Sequence, residues 1–144
     1  MDNKIIVILG PTATGKTNLA VKIADIYNAE IISADSRQIY KKLDIGTGKD
    51  LHEYNINNKK ISYHLIDILD SNENYSVYNF QKDFEKAYSN IIHRNKNVII
   101  CGGTGLYIES LLLDYNLINS PPPDINLRNK LENKSLIELI EVGL

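Results

Sequence analysis

Residues Lys4–Tyr40 read KIIVILGPTATGKTNLAVKIADIYNAEIISADSRQIY. Lys4 to Leu9 carries an unbroken, mostly β-branched apolar run from Ile5 on, which Gly10-Pro11 ends. Such a run predicts a strand buried on both faces, as in parallel sheets. From Lys16 to Tyr27, apolar residues recur at Leu19, Ala20, Ile23, Ala24 and Tyr27, the spacing of one helix face. Glu30-Ile31-Ile32-Ser33-Ala34 reads as a second short strand that ends in the polar Asp35-Ser36-Arg37-Gln38. Strand, glycine-rich turn, helix and strand form a βαβ unit, which implies a parallel pair.

Working outward, Ile45-Gly46-Thr47-Gly48-Lys49 is a glycine-punctuated loop, and Asp50 to Lys60 is a polar stretch expected at the surface. Ser62 to Ile68 predicts a third strand or extended segment. Val77 to His93 predicts a long amphipathic helix with Phe80, Phe84, Ala87, Tyr88, Ile91 and Ile92 on one face. Asn97 to Cys101 is another buried strand, and Gly102-Gly103-Thr104-Gly105 opens a helix from Leu106 to about Leu113. Pro121-Pro122-Pro123 breaks the chain. Asp124 then caps a helix through Leu131, and Ser135 caps another through Val142. Alternating strands and helices argue for an α/β fold with a parallel sheet.

The composition fits this reading. The 144 residues are 43% hydrophobic and 24% charged, with a formal net charge of −2. This excludes a disordered chain and a globally basic nucleic-acid coat, but not a local basic patch. The single cysteine, Cys101, excludes an intrachain disulfide framework and a Cys-rich metal site. Apolar runs fall short of the ~18–20 residues of a membrane span. The Ile5–Leu9 run is too short for a secretory leader. A cytoplasmic monomer without membrane contact is expected.

The strongest chemical signal is Gly10-Pro11-Thr12-Ala13-Thr14-Gly15-Lys16-Thr17, a G-x-x-x-x-G-K-[ST] motif between a predicted strand and a predicted helix. Backbone N–H groups of such a loop cradle phosphate oxygens, and the helix dipole adds a favourable field. Lys16 supplies a point charge, and Thr17 offers a hydroxyl to a phosphate-bound Mg²⁺. The motif alone does not say which phosphate compound binds; a nucleoside triphosphate such as ATP is the usual ligand. Asp35 follows the second strand at the carboxyl edge of the sheet, where open α/β sheets bind ligands. It could be a metal ligand, a general base or a turn cap. Thr104 sits on a second glycine-rich turn at the same edge and either bonds a polar ligand group or simply ends a strand. His64 reads as a satisfied core or edge histidine, His52 and His93 as solvated, and Asp67 as facing the site edge or a turn. Cys101 reads as a buried small hydrophobe. The aromatics of Tyr75–Phe80 read as core. Lys41, Lys42, Lys49, Lys59 and Lys60 form a loose cluster, by default a solvated face and alternatively a phosphate-tracking patch.

Six ordered motifs together resemble the tRNA dimethylallyltransferases, also called tRNA isopentenyltransferases. They are Gly10–Thr17, Ile32–Tyr40, Asp44–Lys49, His64–Ile68, Tyr75–Val77 and Gly102–Tyr107. The resemblance implies a P-loop NTPase-like parallel sheet flanked by helices. It places the core in residues 1–120 and the beginning of a helical tRNA-binding insert in residues 121–144. It implies transfer of a dimethylallyl group from dimethylallyl diphosphate to N6 of the adenosine on the 3′ side of the tRNA anticodon. In that case Gly10 to Thr17 hold a diphosphate rather than ATP, with Mg²⁺ reached through Thr17. Asp35 is then the base, and Asp35, Ser36, Arg37 and Gln38 hold the extruded adenine. Thr104 bonds the bridging oxygen or the leaving diphosphate and touches the tRNA, Lys16 stabilises the leaving group, and Arg128 matches a tRNA-contacting arginine. Gly48 departs from the alanine common in the family.

Family members run to about twice this length on a prior of more than one domain. The chain is therefore expected to be an N-terminal portion, without the basic segment and diphosphate-contacting arginine of the remainder. Two alternatives come from other classes. A small-molecule P-loop kinase needs an arginine-rich lid, whereas the arginines here are Arg37, Arg94 and Arg128 alone. An inactive truncated fragment that binds phosphate or tRNA is the other. An adenylate isopentenyltransferase making free cytokinin is a closer variant, disfavoured by the Ile45–Thr47 and His64–Ile68 motifs.

Overall fold

The computed structural model describes residues 5–113, 115, 117 and 123–143. Strand β1 (Ile5–Leu9) leads through the glycine-rich turn into α1 (Lys16–Tyr27) and on to β2 (Ala29–Ser33). A 3₁₀ turn (Leu51–Tyr54) and a hairpin of β3 (Asn55–Ile56) and β4 (Lys59–Lys60) follow. Then come β5 (Tyr63–His64), α2 (Val77–His93), β6 (Asn97–Gly102), α3 (Gly105–Leu112), α4 (Ile125–Leu131) and α5 (Leu136–Gly143). Four strands form one parallel sheet in the order β1-β6-β2-β5. The βαβ unit is therefore parallel, but β6 lies between its two strands.

That order corrects the expectation for β1. Its side chains feed both faces, with Ile6 and Ile8 in one core layer and Val7 in the other. Yet Ile5 is 47% and Leu9 57% exposed, because β1 is an edge of the sheet among the described residues. A hydrophobic run reports what faces a strand can tolerate, not whether a neighbour lies beside it.

The sheet carries a core on each face. On one, Ala20, Val21 and Ala24 of α1 pack against Ile31, Ile99 and Cys101. On the other, Phe80, Phe84 and Ile91 of α2, with Tyr107 and Ile108 of α3, cover Ile32 and Ile100. The Phe80 and Tyr107 rings stack with centroids 4.2 Å apart. Each fully buried side chain of this size contributes about 1.5–3 kcal/mol relative to exposure. Helix α2 begins where a capping box forms: the Ser76 hydroxyl accepts from the Asn79 N–H, and the Asn79 amide oxygen accepts from the Ser76 N–H. Asp124 caps α4 by accepting from the Leu127 N–H at 2.9 Å, as expected from sequence. Helices α4 and α5 bury no residue. The boundary expected at 120/121, with Pro121 and Pro122, lies outside the described residues. Among the described residues, no helix is long and apolar enough to cross a membrane.

Asp50 to Lys60 is more than a surface excursion. Tyr54 is buried against α1, and its ring meets Tyr63 at 4.5 Å. Asn57 and Asn58 both take left-handed backbone angles, the turn that suits a tight hairpin. Of the third predicted strand only Tyr63 and His64 pair with β2; Leu65 and Asp67 take φ of 62° and 55° and end it.

At the amino edge of the sheet, Glu30 is nearly fully buried. Its carboxylate accepts from His64 Nε2 and Arg94 Nη2, both at 2.7 Å, and Lys96 Nζ lies 3.0 Å away. Burial alone would raise its pKa, but the bonds from His64, Lys96 and Arg94 outweigh that and hold it at about 2. A folded-state pKa below the unfolded value adds stability that is complete above pH 4.5 and is lost as pH falls toward 2. The expected contribution is about 3 kcal/mol. Urea melts across this window should show a steep acid loss in the native chain and a shallower one in Glu30→Gln. Equal slopes would rule out this carboxylate as the acid-sensitive group.

Candidate functional site

The turn from β1 to α1 takes its shape from two left-handed residues, Ala13 at φ 63° and Gly15 at φ 77°. Gly15 is the residue before the first helical turn, where such an angle favours glycine. The Thr14 hydroxyl donates to Pro11 O at 2.8 Å, and the Lys16 ammonium donates to the same carbonyl. These bonds fold the loop on itself. The first N–H groups of α1 have no acceptor within the helix, which leaves a donor-rich end for an anion.

The ends of β2 and β6 meet beside this loop. Asp35 follows β2 and is buried. Its Oδ1 accepts from the Arg37 N–H at 3.1 Å and lies 3.7 Å from Arg37 Nε. Its Oδ2 has no hydrogen bond among the described residues. The Arg37 guanidinium reaches back to donate to Thr12 Oγ1 at 2.6 Å, tying the Asp35 turn to the P-loop. Thr104 holds the turn from the other side. Its hydroxyl accepts from the Ser36 N–H at 2.9 Å and donates to Ser36 Oγ at 3.2 Å, while its own N–H donates to Ala34 O at 3.1 Å. In this structure the Thr104 side chain braces the Asp35–Ser36 turn.

Gln38 is fixed at both ends of its amide. Ser33 Oγ donates to Oε1 at 2.8 Å, and Nε2 donates to Gly48 O at 3.0 Å. That bond brings the loop before Asp50 across the site. The cleft of about 310 Å³ between them is lined by Thr12, Lys16, Thr17, Asp35 and Gln38 and by Thr47, Gly48, Asp50 and Glu53. Of the residues expected from sequence, Thr12, Ala13, Gly15, Lys16, Thr17, Asp35 and Gln38 line one space, Gly10, Pro11 and Thr14 lie outside its lining, and Ser36, Arg37 and Thr104 brace it through their hydrogen bonds. Arg128 is exposed on α4 and, among the described residues, makes no hydrogen bond or ion pair with any of them. Thr47, Gly48, Asp50 and Glu53 were not expected as wall residues. Their signal was indirect: Thr47 and Gly48 belong to the glycine-punctuated loop Ile45–Lys49, and Asp50 follows it directly.

Three carboxylates and one ammonium line this cavity, so a diphosphate entering it needs added positive charge. Among the described residues, no set of three His, Cys, Asp or Glu side chains converges as a metal site. The Thr17 hydroxyl and the surrounding oxygen donors suit Mg²⁺, a hard cation usually held by few protein groups and by substrate phosphates. Beneath the floor, Cys101 is buried, and burial pushes its thiol up to about 11 despite the opposing Lys16 charge. It is inert packing, as expected. The arrangement can hold a phosphorylated donor against Lys16 and accept a proton at Asp35 from a second molecule.

Comparisons with known proteins agree with this geometry. The chain is 52% identical over 136 residues to a tRNA dimethylallyltransferase of Parabacteroides distasonis, covering 94% of this chain and 44% of that protein. It is 52% identical over 141 residues to one of Bacteroides fragilis, covering 98% and 46%. The chain thus spans less than half the length of the curated relatives it matches. The full-length tRNA isopentenylpyrophosphate transferase of Bacillus halodurans superposes with a TM-score of 0.74 at 34% identity, covering 99% of this chain and 46% of that one. A eukaryotic dimethylallyltransferase solved while acting on tRNA gives 0.70 at 28% identity, covering 92% and 36%. The family model for IPP transferase matches residues 38–141, from the clamped Gln38 to the last turn of α5, and the chain belongs to that family.

Proposed function

We propose that this chain carries the donor site and the base of a tRNA dimethylallyltransferase. It transfers the dimethylallyl group of dimethylallyl diphosphate to N6 of the adenosine 3′-adjacent to the tRNA anticodon. The observation that carries the reading is Asp35: a buried carboxylate with one oxygen committed to Arg37 and the other unbonded among the described residues, in the same cavity as the P-loop. Family membership and the tRNA-related names of the relatives support it.

The P-loop and Lys16 bind the diphosphate, and the Thr17 hydroxyl would hold Mg²⁺. When bound, Mg²⁺ neutralises negative charge on the diphosphate. The adenine enters beside Gln38, which requires taking it out of the base stack. N6 attacks C1 of the allyl group, and the C1–O bond breaks with its electron pair leaving on the diphosphate. Asp35 Oδ2 takes the N6 proton, and Lys16 stabilises the charge left on the diphosphate. Thr104 and Ser36 hold the rim, and Arg128 on exposed α4 contacts the tRNA. The work is that of a monomer in the cytoplasm.

The test is direct. The chain is incubated with labelled dimethylallyl diphosphate, Mg²⁺ and an anticodon stem-loop. A parallel arm supplies ATP and phosphoryl acceptors. Label in the RNA is expected, with diphosphate binding lost in Lys16→Ala. ATP-dependent phosphoryl transfer, or an unlabelled RNA with binding intact, would overturn the assignment.

A further inference from the structure

The lysine cluster expected to be solvated contains one member that is not. The Lys49 side chain is 1% exposed. Its three N–H groups have three acceptors: Asp67 Oδ1 at 2.7 Å, Asp44 Oδ1 at 3.4 Å and the Tyr40 carbonyl. Burying an ammonium is costly unless every donor is met. Here they are, so the head group is held in one place.

The partner Asp67 is itself pinned. It adopts a left-handed φ of 55°, and Leu65, two residues earlier, one of 62°. Non-glycine residues in this region cost of order 1–3 kcal/mol each and persist only where the surroundings over-determine them. The surroundings are a lattice of main-chain bonds: Asp67 N–H to Gln38 O at 3.0 Å, Ile68 N–H to Ile39 O at 2.8 Å, and Lys41 N–H to Leu69 O at 2.8 Å. Asp67 is thus fixed to the segment that carries Gln38.

The loop that Lys49 ends has little else to hold it. Residues 41 to 46 are all exposed, and Ile45 is almost fully so. Within the loop the Thr47 hydroxyl donates to Leu43 O. Its hold on the site is the pair of bonds from Gln38 Nε2 to Gly48 O at 3.0 Å and Thr47 O at 3.5 Å, with the approach of Gly48 to Thr12. Thr47 and Gly48 form the cavity wall facing the P-loop.

We infer that Lys49, acting through Asp67, is a positioning residue that pins residues 43–50 as the acceptor-side wall and so fixes the amide of Gln38 for the incoming nucleobase. This deepens the proposed function and rests on it for the identity of the base. Among the described residues Lys49 bonds no P-loop residue, and the P-loop is folded by its own bonds from Thr14 and Lys16 to Pro11, so the donor side depends on Lys49 far less than the wall does.

The experiment uses the chain carrying Lys49→Met and, separately, the milder Asp67→Asn. Three quantities are read: amide hydrogen exchange by peptide, affinity for inorganic pyrophosphate with Mg²⁺, and the KM and kcat of transfer to the stem-loop. Exchange in residues 43–50 is expected to accelerate about tenfold or more in Lys49→Met and less in Asp67→Asn, with α1 and β6 unchanged. Pyrophosphate affinity should stay within about twofold, and acceptor KM should rise about tenfold with kcat nearly constant. Faster loop exchange in a chain that transfers nothing would support the wall while sinking the transferase reading. Unchanged loop exchange, an equal loss of pyrophosphate affinity, or global unfolding of both variants would overturn the inference.

Discussion

Asp35→Asn is expected to slow transfer about 10²–10⁴-fold, the range a positioned general base contributes. That corresponds to about 3–5 kcal/mol of transition-state stabilisation. Stability and pyrophosphate binding should stay close to those of the native chain. The reason lies in how the two carboxylate oxygens are used. Oδ1 accepts from the Arg37 N–H at 3.1 Å and shapes the turn. An asparagine carbonyl can still accept that bond, so the turn survives. In the proposed reading Oδ2 takes the substrate proton, and an amide NH₂ there cannot take one. Asp35→Ala removes both functions and should lose about 1 kcal/mol of stability in addition. Single-turnover transfer and thermal melting of the two variants separate the roles. If Asn retained a rate within about threefold of the native chain, Asp35 would be a turn residue and the base would have to be sought elsewhere.

The division of labour within Asp35 also shows where sequence reading stops. Local signals transfer well. The glycine-rich motif, the helical spacing of α1 and α2, and the Asp124 cap each depend on residues a few positions apart, and each appears as expected. Signals that depend on a distant partner do not transfer. Lys49 reads as one more surface lysine because Asp67, which makes its burial tolerable, lies 18 residues on. From the residues alone Gln38 shows only as the end of a polar run after β2, because its amide is oriented by Ser33 and by the Gly48 carbonyl together. The β1 run suggests a central strand because composition reports faces, while edge position is set by the order β1-β6-β2-β5. Thr104 was open between ligand contact and packing. The structure shows it bracing Ser36, which is compatible with a ligand role but is a distinct task.

The second large effect concerns a glycine rather than a charged group. Gly102→Ala is expected to destabilise the chain by about 3–5 kcal/mol, from overpacking and two strained backbone bonds. A Cβ at this position would lie 2.2 Å from Ala34 O, 2.3 Å from Ala34 C and 2.8 Å from Ala34 Cα. All three are main-chain atoms, so no side chain can rotate away. Ala34 cannot step back either. Its N–H donates to Cys101 O at 2.9 Å, and its carbonyl accepts from the Thr104 N–H at 3.1 Å. Relief therefore requires β2 and β6 to part where they deliver Asp35 and Thr104 to the cavity. At about 3–5 °C per kcal/mol for a domain of this size, the melting temperature should fall by roughly 10–20 °C. Transfer should fall further than the folded fraction accounts for, because Asp35 moves with Ala34. Gly105 provides the contrast on the same turn: a Cβ there meets nothing within 4 Å. Gly105→Ala should be neutral or stabilise α3 by a few tenths of a kcal/mol, roughly the propensity gain at a helix end. Thermal melts of the two variants side by side decide the matter. Similar losses would mean that this turn needs glycine for chain flexibility; a loss confined to position 102 means that it needs space for Ala34.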